Sequence, residues 1–436
     1  MRSRLRGWRS YASFVALSVA TLTVAVPTQR IAASAEGLDS QAHEFVSLAL
    51  SLGRLRATEV DAYFGPAELH PRAKGATTLE ALLQQVHDLR AGVESRSMES
   101  ATERAIHLRE QVRALDGLVA VIQSSDTLRF DDEARAIYGM PPVVVGANAP
   151  NAALKSLEAL LPGPESLLAR ITAYRNRFVV APDKRRAVFE RALKECRART
   201  LSRWNLPATE RLDVEWTNEV PAAWHRYDGR FHSTLRLNPA AVGFLGSAVD
   251  VACHEGYPGH HAQFVIMEAD AAGSGLAVEN TVVLLRSPIS MLREGAANYS
   301  VDLAFPPPQR LAFERDVLFP LAGFDPAEAA RYAEVHRLVG ELSRGVVPIV
   351  RDYRDKRISA RSARQALESS TLVSSPGALL HFVDDLGPYV LGYTAAPDNV
   401  RDFIEIRHRQ SGADRWSILR QMLARTDITA LRKEGS

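Results

Sequence analysis

The run Cys253-His254-Glu255-Gly256-Tyr257-Pro258-Gly259-His260-His261 constrains this chain more than any other segment. It gathers three of the twelve histidines within eight residues, between two apolar stretches of helical periodicity, 240–252 and 262–268. On an unbroken helix the residue six positions after His254 lies about 240° round the axis, and the residue seven positions on lies about 10.5 Å along it. Metal–imidazole bonds are about 2.0–2.1 Å, so neither His260 nor His261 could share an ion with His254 in a regular helix. Pro258 and Gly259 change that geometry. Proline removes the N–H that would bond back to His254, and glycine accepts backbone angles that other residues avoid. A bulge that absorbs two residues makes position i+6 equivalent to i+4, which selects His260 as the partner of His254. His261 would need three residues absorbed; otherwise it points elsewhere, toward substrate.

His-Glu followed by a returning histidine is similar to H-E-x-x-H, in which two imidazoles bind Zn²⁺ and the adjacent Glu acts as general base. Glu255 takes the base position. Two histidines and one carboxylate leave a fourth zinc position for water, so a carboxylate from another helix is expected. Glu294 fits, set among the small residues Gly295, Ala296 and Ala297 that allow close helix approach; by spacing alone Glu279 and Glu268 are rivals. Asp250, one helical turn before His254, is a candidate acceptor for an imidazole N–H.

The rest of the chain predicts a mostly α fold. Helical periodicity covers 40–56, 78–89, 99–123, 166–179 and 183–201 and resumes after the histidine cluster. The exception is an interval where Arg211–Asn218 and Phe231–Asn238 both alternate polar and apolar residues around a connection containing Pro221 and Gly229. This predicts a small antiparallel β-hairpin or edge-strand insert before the active-site helix. Residues 1–35 have the layout of a secretory signal peptide: arginines at the start, an apolar run from Phe14 to Val26, and Ala33-Ser34-Ala35 as the cleavage signal. The apolar run is shorter than the ~20 residues of a membrane span. The expected product is a periplasmic or secreted protein of residues 36–436, one helical catalytic domain divisible into a 36–200 lobe and a 201–436 metal-site lobe. The chain's formal charge of +2 belongs to that leader, because its removal leaves 48 basic against 51 acidic residues, or −3. Basic residues are scattered without a recognition motif, which argues against nucleic-acid binding. Cys196 and Cys253 allow at most one disulfide, and spacing does not decide whether they pair.

His254-Glu255-Gly256-Tyr257-Pro258-Gly259-His260-His261, followed by Glu294-Gly295-Ala296-Ala297-Asn298-Tyr299, resembles the paired motifs of the bacterial proteins called domain of unknown function 885. Weaker matches lie in Asp61-Ala62-Tyr63-Phe64-Gly65-Pro66, Leu206-Pro207-Ala208-Thr209-Glu210 and Tyr389-Val390-Leu391-Gly392-Tyr393, so the resemblance covers most of the mature chain. It implies a mostly helical, gluzincin-like zinc metallopeptidase. It also implies metal ligands at His254, His260 and Glu294 with Glu255 as base, which selects Glu294 over Glu279. The chain departs from the family pattern at Ala296, where Trp is common, and at Cys253, where a small aliphatic residue is usual.

The function expected on these grounds is an exported peptidase or amidase with one Zn²⁺, a metal-activated water and Glu255 as proton carrier. A developing oxyanion needs a further donor, and Tyr393, Tyr389, His261 and Arg286 are the candidates, Tyr393 first. The hairpin is expected to hold a peptide by strand addition, and His225 and His232 to be exposed loop and strand residues. The same ligands suit Fe(II) in a non-haem enzyme. A non-catalytic exported peptide-binding protein is the other alternative.

Overall fold

A computed structural model describes residues 28–69, 78–97, 102–124, 128–140, 149–219, 222–271 and 276–431. Residues 1–27 of the stretch read as a signal peptide lie outside them. Helix α1 (Thr28–Leu55) begins at once and runs through Ala33-Ser34-Ala35, so cleavage after Ala35 would start the mature chain within this helix. No helix among the described residues is long and apolar enough to cross a membrane.

The architecture is mostly helical with two small sheets. After α1, strand β1 (Val60–Tyr63) precedes α2 (Leu79–Ser97), α3 (Glu103–Gln123), α4 (Phe130–Tyr138), α5 (Ala149–Leu160), α6 (Leu167–Asn176) and α7 (Pro182–Leu201). The helices start where the chain can satisfy orphan amides. Thr102 and Ser166 cap α3 and α6 through their hydroxyls, and Pro182 opens α7 where its missing N–H costs nothing.

Strands β2 (Arg211–Trp216), β3 (Ala223–Gly229) and β4 (His232–Leu237) form a sheet of order β2-β4-β3. Here the structure corrects the sequence reading. The two alternating segments do pair, but in parallel, with Arg211 opposite His232 and Trp216 opposite Leu237. The segment read as their connection is itself the antiparallel partner of β4. Its tight turn places Gly229, Arg230 and Phe231 at positive φ. The Glu268 carboxylate holds that turn by accepting the amides of Arg230 and Phe231, each at 3.2 Å, and the Tyr227 hydroxyl. Glu268 is thereby committed to the turn.

The chain continues through α8 (Leu245–Val251), a π-helical turn (Ala252–Gly256), α9 (His260–Asp270) and β5 (Val282–Leu284), which pairs antiparallel with β1. Helix α10 (Pro288–Ala304) follows, capped by the Ser287 hydroxyl on the Ser290 amide at 3.1 Å. It is buried along nearly its whole length. Then come α11 (Pro307–Phe313), α12 (Phe319–Ala322), α13 (Ala329–Leu342), α14 (Val346–Arg354), α15 (Ala360–Ala366), α16 (Pro376–Leu386), a 3₁₀ segment (Gly387–Tyr393), α17 (Ala395–Ser411) and α18 (Arg415–Arg425). At the centre, α10 packs against the π turn, α17 and the 3₁₀ segment. Gly295 makes this possible, since a Cβ there would stand 2.8 Å from the Ala396 carbonyl carbon.

Cys196 of α7 and Cys253 of the π turn form a disulfide across a sequence separation of 57 residues, both with 0% exposure. Closing a loop of that size in the unfolded chain is worth about 4 kcal/mol in the chain-entropy account. Replacing both cysteines by alanine should therefore lower the unfolding free energy by roughly 2–4 kcal/mol. Denaturant melts of the oxidised parent and the double variant check this, and equal midpoints would refute the contribution.

Candidate metal centre

The chain leaves helical geometry at Tyr257 (φ −131°, ψ 122°), passes a cis Tyr257-Pro258 bond, and begins α9 at His260. The cluster therefore interrupts a helix, as a π turn followed by a sharp return rather than a bulge within one helix. The Gly259 amide donates back to the Cys253 carbonyl at 2.9 Å. A Cβ on Gly259 would fall 1.8 Å from the His254 carbonyl oxygen, so only glycine allows the return.

This return brings the His254 and His260 rings edge to face, centroids 4.7 Å apart and planes at 87°. Glu294 of α10 lies across both. Its Oε2 is 3.5 Å from His254 Nε2, and its Oε1 is 3.5 Å from His260 Nε2. Two donors bound to one zinc ion in tetrahedral geometry stand about 3.4 Å apart, so these separations suit a shared cation. Donor atoms of His254, Glu255 and His260 also lie within 4.8 Å of one another.

Glu294 Oε2 is buried without a hydrogen-bond partner, a costly condition for a carboxylate oxygen unless a cation meets it. Oε1 accepts from the Tyr389 hydroxyl at 3.1 Å, and Ser290 Oγ lies 3.4 Å from that hydroxyl. Burial works against ionising Glu294, but His254 and His260 outweigh it and hold its carboxyl well below the usual range. Burial likewise disfavours the His254 cation, yet Glu294, Glu255 and Asp250 push His254 up to about 9. The centre thus recruits positive charge, a proton where no metal is bound.

A second carboxylate fixes the turn from behind. Glu210 Oε2 accepts from the Tyr257 hydroxyl at 2.5 Å and contacts His261 Nε2 at 2.8 Å, while Oε1 accepts from Arg197 Nε at 3.0 Å and Nη2 at 2.5 Å. His261 Nδ1 meets Ser233 Oγ at 2.8 Å. His261 is therefore not a substrate contact or oxyanion donor. It has 0% exposure and both ring nitrogens engaged, and it pins α9 to the sheet.

Other expectations are corrected too. Asp250 does not accept from His254; Arg310 Nη1 at 2.7 Å and His336 Nε2 at 3.3 Å occupy its two oxygens, so it acts on His254 only through its charge. Arg286 is not an oxyanion donor, because its guanidinium is buried against the Glu59 carboxylate, with Nε at 2.9 Å. Glu279 is paired with Arg104 at 2.8 and 3.0 Å. His225 is not an exposed residue: its ring lies 5.8 Å from those of His260 and Phe264, and its Nε2 is buried without a partner. His232 contacts Asp213 at 3.0 Å on the sheet. Tyr389 supports Glu294, and Tyr393 lines an open cleft of about 980 Å³ together with His254 and Glu255. No strand of either sheet lines that cleft, so the edge of the sheet is not offered to it.

Spacing alone left three neighbours of the centre unnoticed. Asp61 of β1 is pushed up to about 6, by burial first, with His260 and Arg293 opposing and Glu294 and Glu255 adding to the rise. Arg293 lies 4.2 Å over the Phe264 ring with Nη1 unpartnered, and burial lowers it to about 10. Glu210 is the third. Asp61 and Glu210 both fall within the short segments that carry the weaker family matches.

No family model and no curated protein matches this chain. One solved structure similar to it is described as "The crystal structure of the putative lipoprotein from Colwellia psychrerythraea". That protein is 14% identical, the match covers 81% of this chain and 68% of that one, and the TM-score is 0.49.

The Glu210 clamp has a pH signature. Burial alone would raise its proton affinity, but the bonds from His261, Tyr257 and Arg197 lower it to about 2. A carboxyl depressed from its usual range near 4.5 gives stability that is complete above that range and lost as pH falls through about 2. The stability gap between the parent and Glu210→Gln should therefore narrow between pH 5 and pH 2. Denaturant titrations across that window check it, and a constant gap would refute the clamp.

Proposed function

We propose that the protein is an exported metal-dependent peptidase or amidase with one Zn²⁺ held by His254, His260 and Glu294. The observation that carries this reading is the Glu294 carboxylate, set 3.5 Å from each of two imidazoles with one oxygen buried and unpartnered. Bound zinc would polarise a scissile carbonyl and lower the pKa of water.

The chain's own groups supply the rest. Glu255 follows His254 and faces the cleft, where it takes a proton from the attacking water and delivers it to the leaving nitrogen. The Tyr393 proton is held well above its ordinary range, by desolvation first and then by the Glu294 and Glu255 charges. It therefore stays on the phenol at neutral pH and can donate to the developing oxyanion. Tyr389 keeps Glu294 oriented through its hydroxyl. The disulfide between Cys196 and Cys253 supports export, since such bonds persist in oxidising compartments. Iron in the same donors would leave Glu255 without a task, which favours hydrolysis.

The test pairs metal analysis with one variant. Protein purified without added metal should contain one zinc per chain. Glu255→Gln should keep the zinc and lose about 10²–10⁴-fold in turnover of a peptide library. Unchanged turnover, stoichiometric iron, or no bound metal would overturn the proposal.

A further inference from the structure

A second group of buried polar atoms lies where α1, α3 and β5 meet α10. A cavity of about 10 Å³ is lined there by Gln111, Asn280, Ser287 and Arg293, among apolar neighbours that include Phe45 and Leu284. None of His254, Glu255, His260 and Glu294 lines it. A volume of that size admits one water-sized occupant.

Two of the lining side chains bring donors that nothing in the protein accepts. Arg293 is 8% exposed and Gln111 6%, and both Arg293 Nη1 and Gln111 Nε2 are buried without a hydrogen-bond partner. What else the Arg293 guanidinium has is weak. Its Nη2 donates to the Met267 sulfur at 3.0 Å, a poor acceptor, and the group lies 4.2 Å over the Phe264 ring. Asp61 is the one anion whose charge acts on it, and among the described residues no carboxylate comes within the about 4 Å of an ion pair. The metal centre does not supply the missing charge, since a divalent cation there would be balanced by Glu255 and Glu294 together. A buried guanidinium without a counter-ion is costly.

The side-chain acceptors on the cavity wall are already engaged. Asn280 Oδ1 meets His107 Nε2 at 3.1 Å, and Ser287 Oγ donates to the Leu284 carbonyl at 2.9 Å while accepting the Ser290 amide at 3.1 Å. A water in the cavity would have to donate as well as accept. Two orphan donors, one of them charged, call instead for an occupant that only accepts. The volume excludes polyatomic anions such as phosphate or a carboxylate, which leaves a monatomic one. The apolar part of the wall keeps the local dielectric low and so strengthens its attraction to Arg293.

We propose that this cavity is a chloride site, with the anion held by Arg293 Nη1 and Gln111 Nε2. Gln111 belongs to α3 and Arg293 to α10, so the anion ties the N-terminal helices to the helix that carries Glu294. It acts as a structural counter-ion and takes no part in the proposed hydrolysis.

Crystals grown in bromide test the site. Anomalous diffraction at the bromine edge should give one peak inside the cavity, within hydrogen-bond reach of both nitrogens. In solution, chloride at about 100 times its dissociation constant should lower the unfolding constant about 100-fold, and gluconate at equal ionic strength should leave it unchanged. Gln111→Leu keeps the guanidinium and removes one donor, and should weaken halide binding by about 10-fold. Gln111→Glu puts a carboxylate beside Arg293 in the anion's place, so the bromide peak and the chloride response should both vanish while the protein stays folded in chloride-free buffer. A water in the cavity of the parent with no anomalous peak, or an equal chloride response in the parent and Gln111→Glu, overturns the proposal.

Discussion

The approach of the Gly259 backbone to the His254 carbonyl is the constraint on which the rest of the site depends. With no room for a Cβ between them, the chain folds back on its own π turn instead of continuing along the helix axis. That return converts a six-residue spacing, useless on a straight helix, into two imidazoles in edge-to-face contact. Two tethers hold the returning segment: the disulfide to α7 at Cys253, and the Glu210 carboxylate at Tyr257 and His261. Both tethers touch residues beside the candidate ligands and leave the ligand atoms free.

Electrostatics explains why such a turn is worth building. A buried carboxylate with an unpartnered oxygen is expensive, and here it stands against two imidazoles with a second carboxylate, Glu255, one residue from the first histidine. Removing any one charge would leave the others uncompensated. Gly295 contributes from the other wall. By letting α17 approach α10, it brings the Gly387–Tyr393 segment over Glu294, and with it the Tyr389 hydroxyl.

Much of this was legible in the sequence because it follows from local periodicity. Helices α1, α2, α3, α6 and α7 appear where apolar spacing places them, whereas α4 and α5 fall in stretches that spacing leaves unassigned; Pro258-Gly259 announces a break whose length selects His260 over His261. What lies across a space was not legible. Alternation in Arg211–Asn218 and Phe231–Asn238 reveals strands, but whether the two run parallel depends on the strand that separates them along the chain and pairs on the far edge of β4. Arg286 looks like a free cation until Glu59, more than two hundred residues earlier, is placed against it. His225 reads as a surface residue because its segment reads as a connection; that segment is strand β3, which sets the ring beside His260 and Phe264 of α9. Spacing could not separate Glu294 from Glu279 and Glu268, whose partners Arg104 and the Gly229–Phe231 turn come from elsewhere in the fold.

His254, His260 and Glu294 are proposed to hold a single cation, and anomalous diffraction from crystals of the purified protein at the zinc absorption edge would locate it. One peak per chain is expected, about 2.0–2.1 Å from a nitrogen of His254, a nitrogen of His260 and an oxygen of Glu294. A peak bound by other residues, or none in protein that hydrolyses peptides, would contradict it.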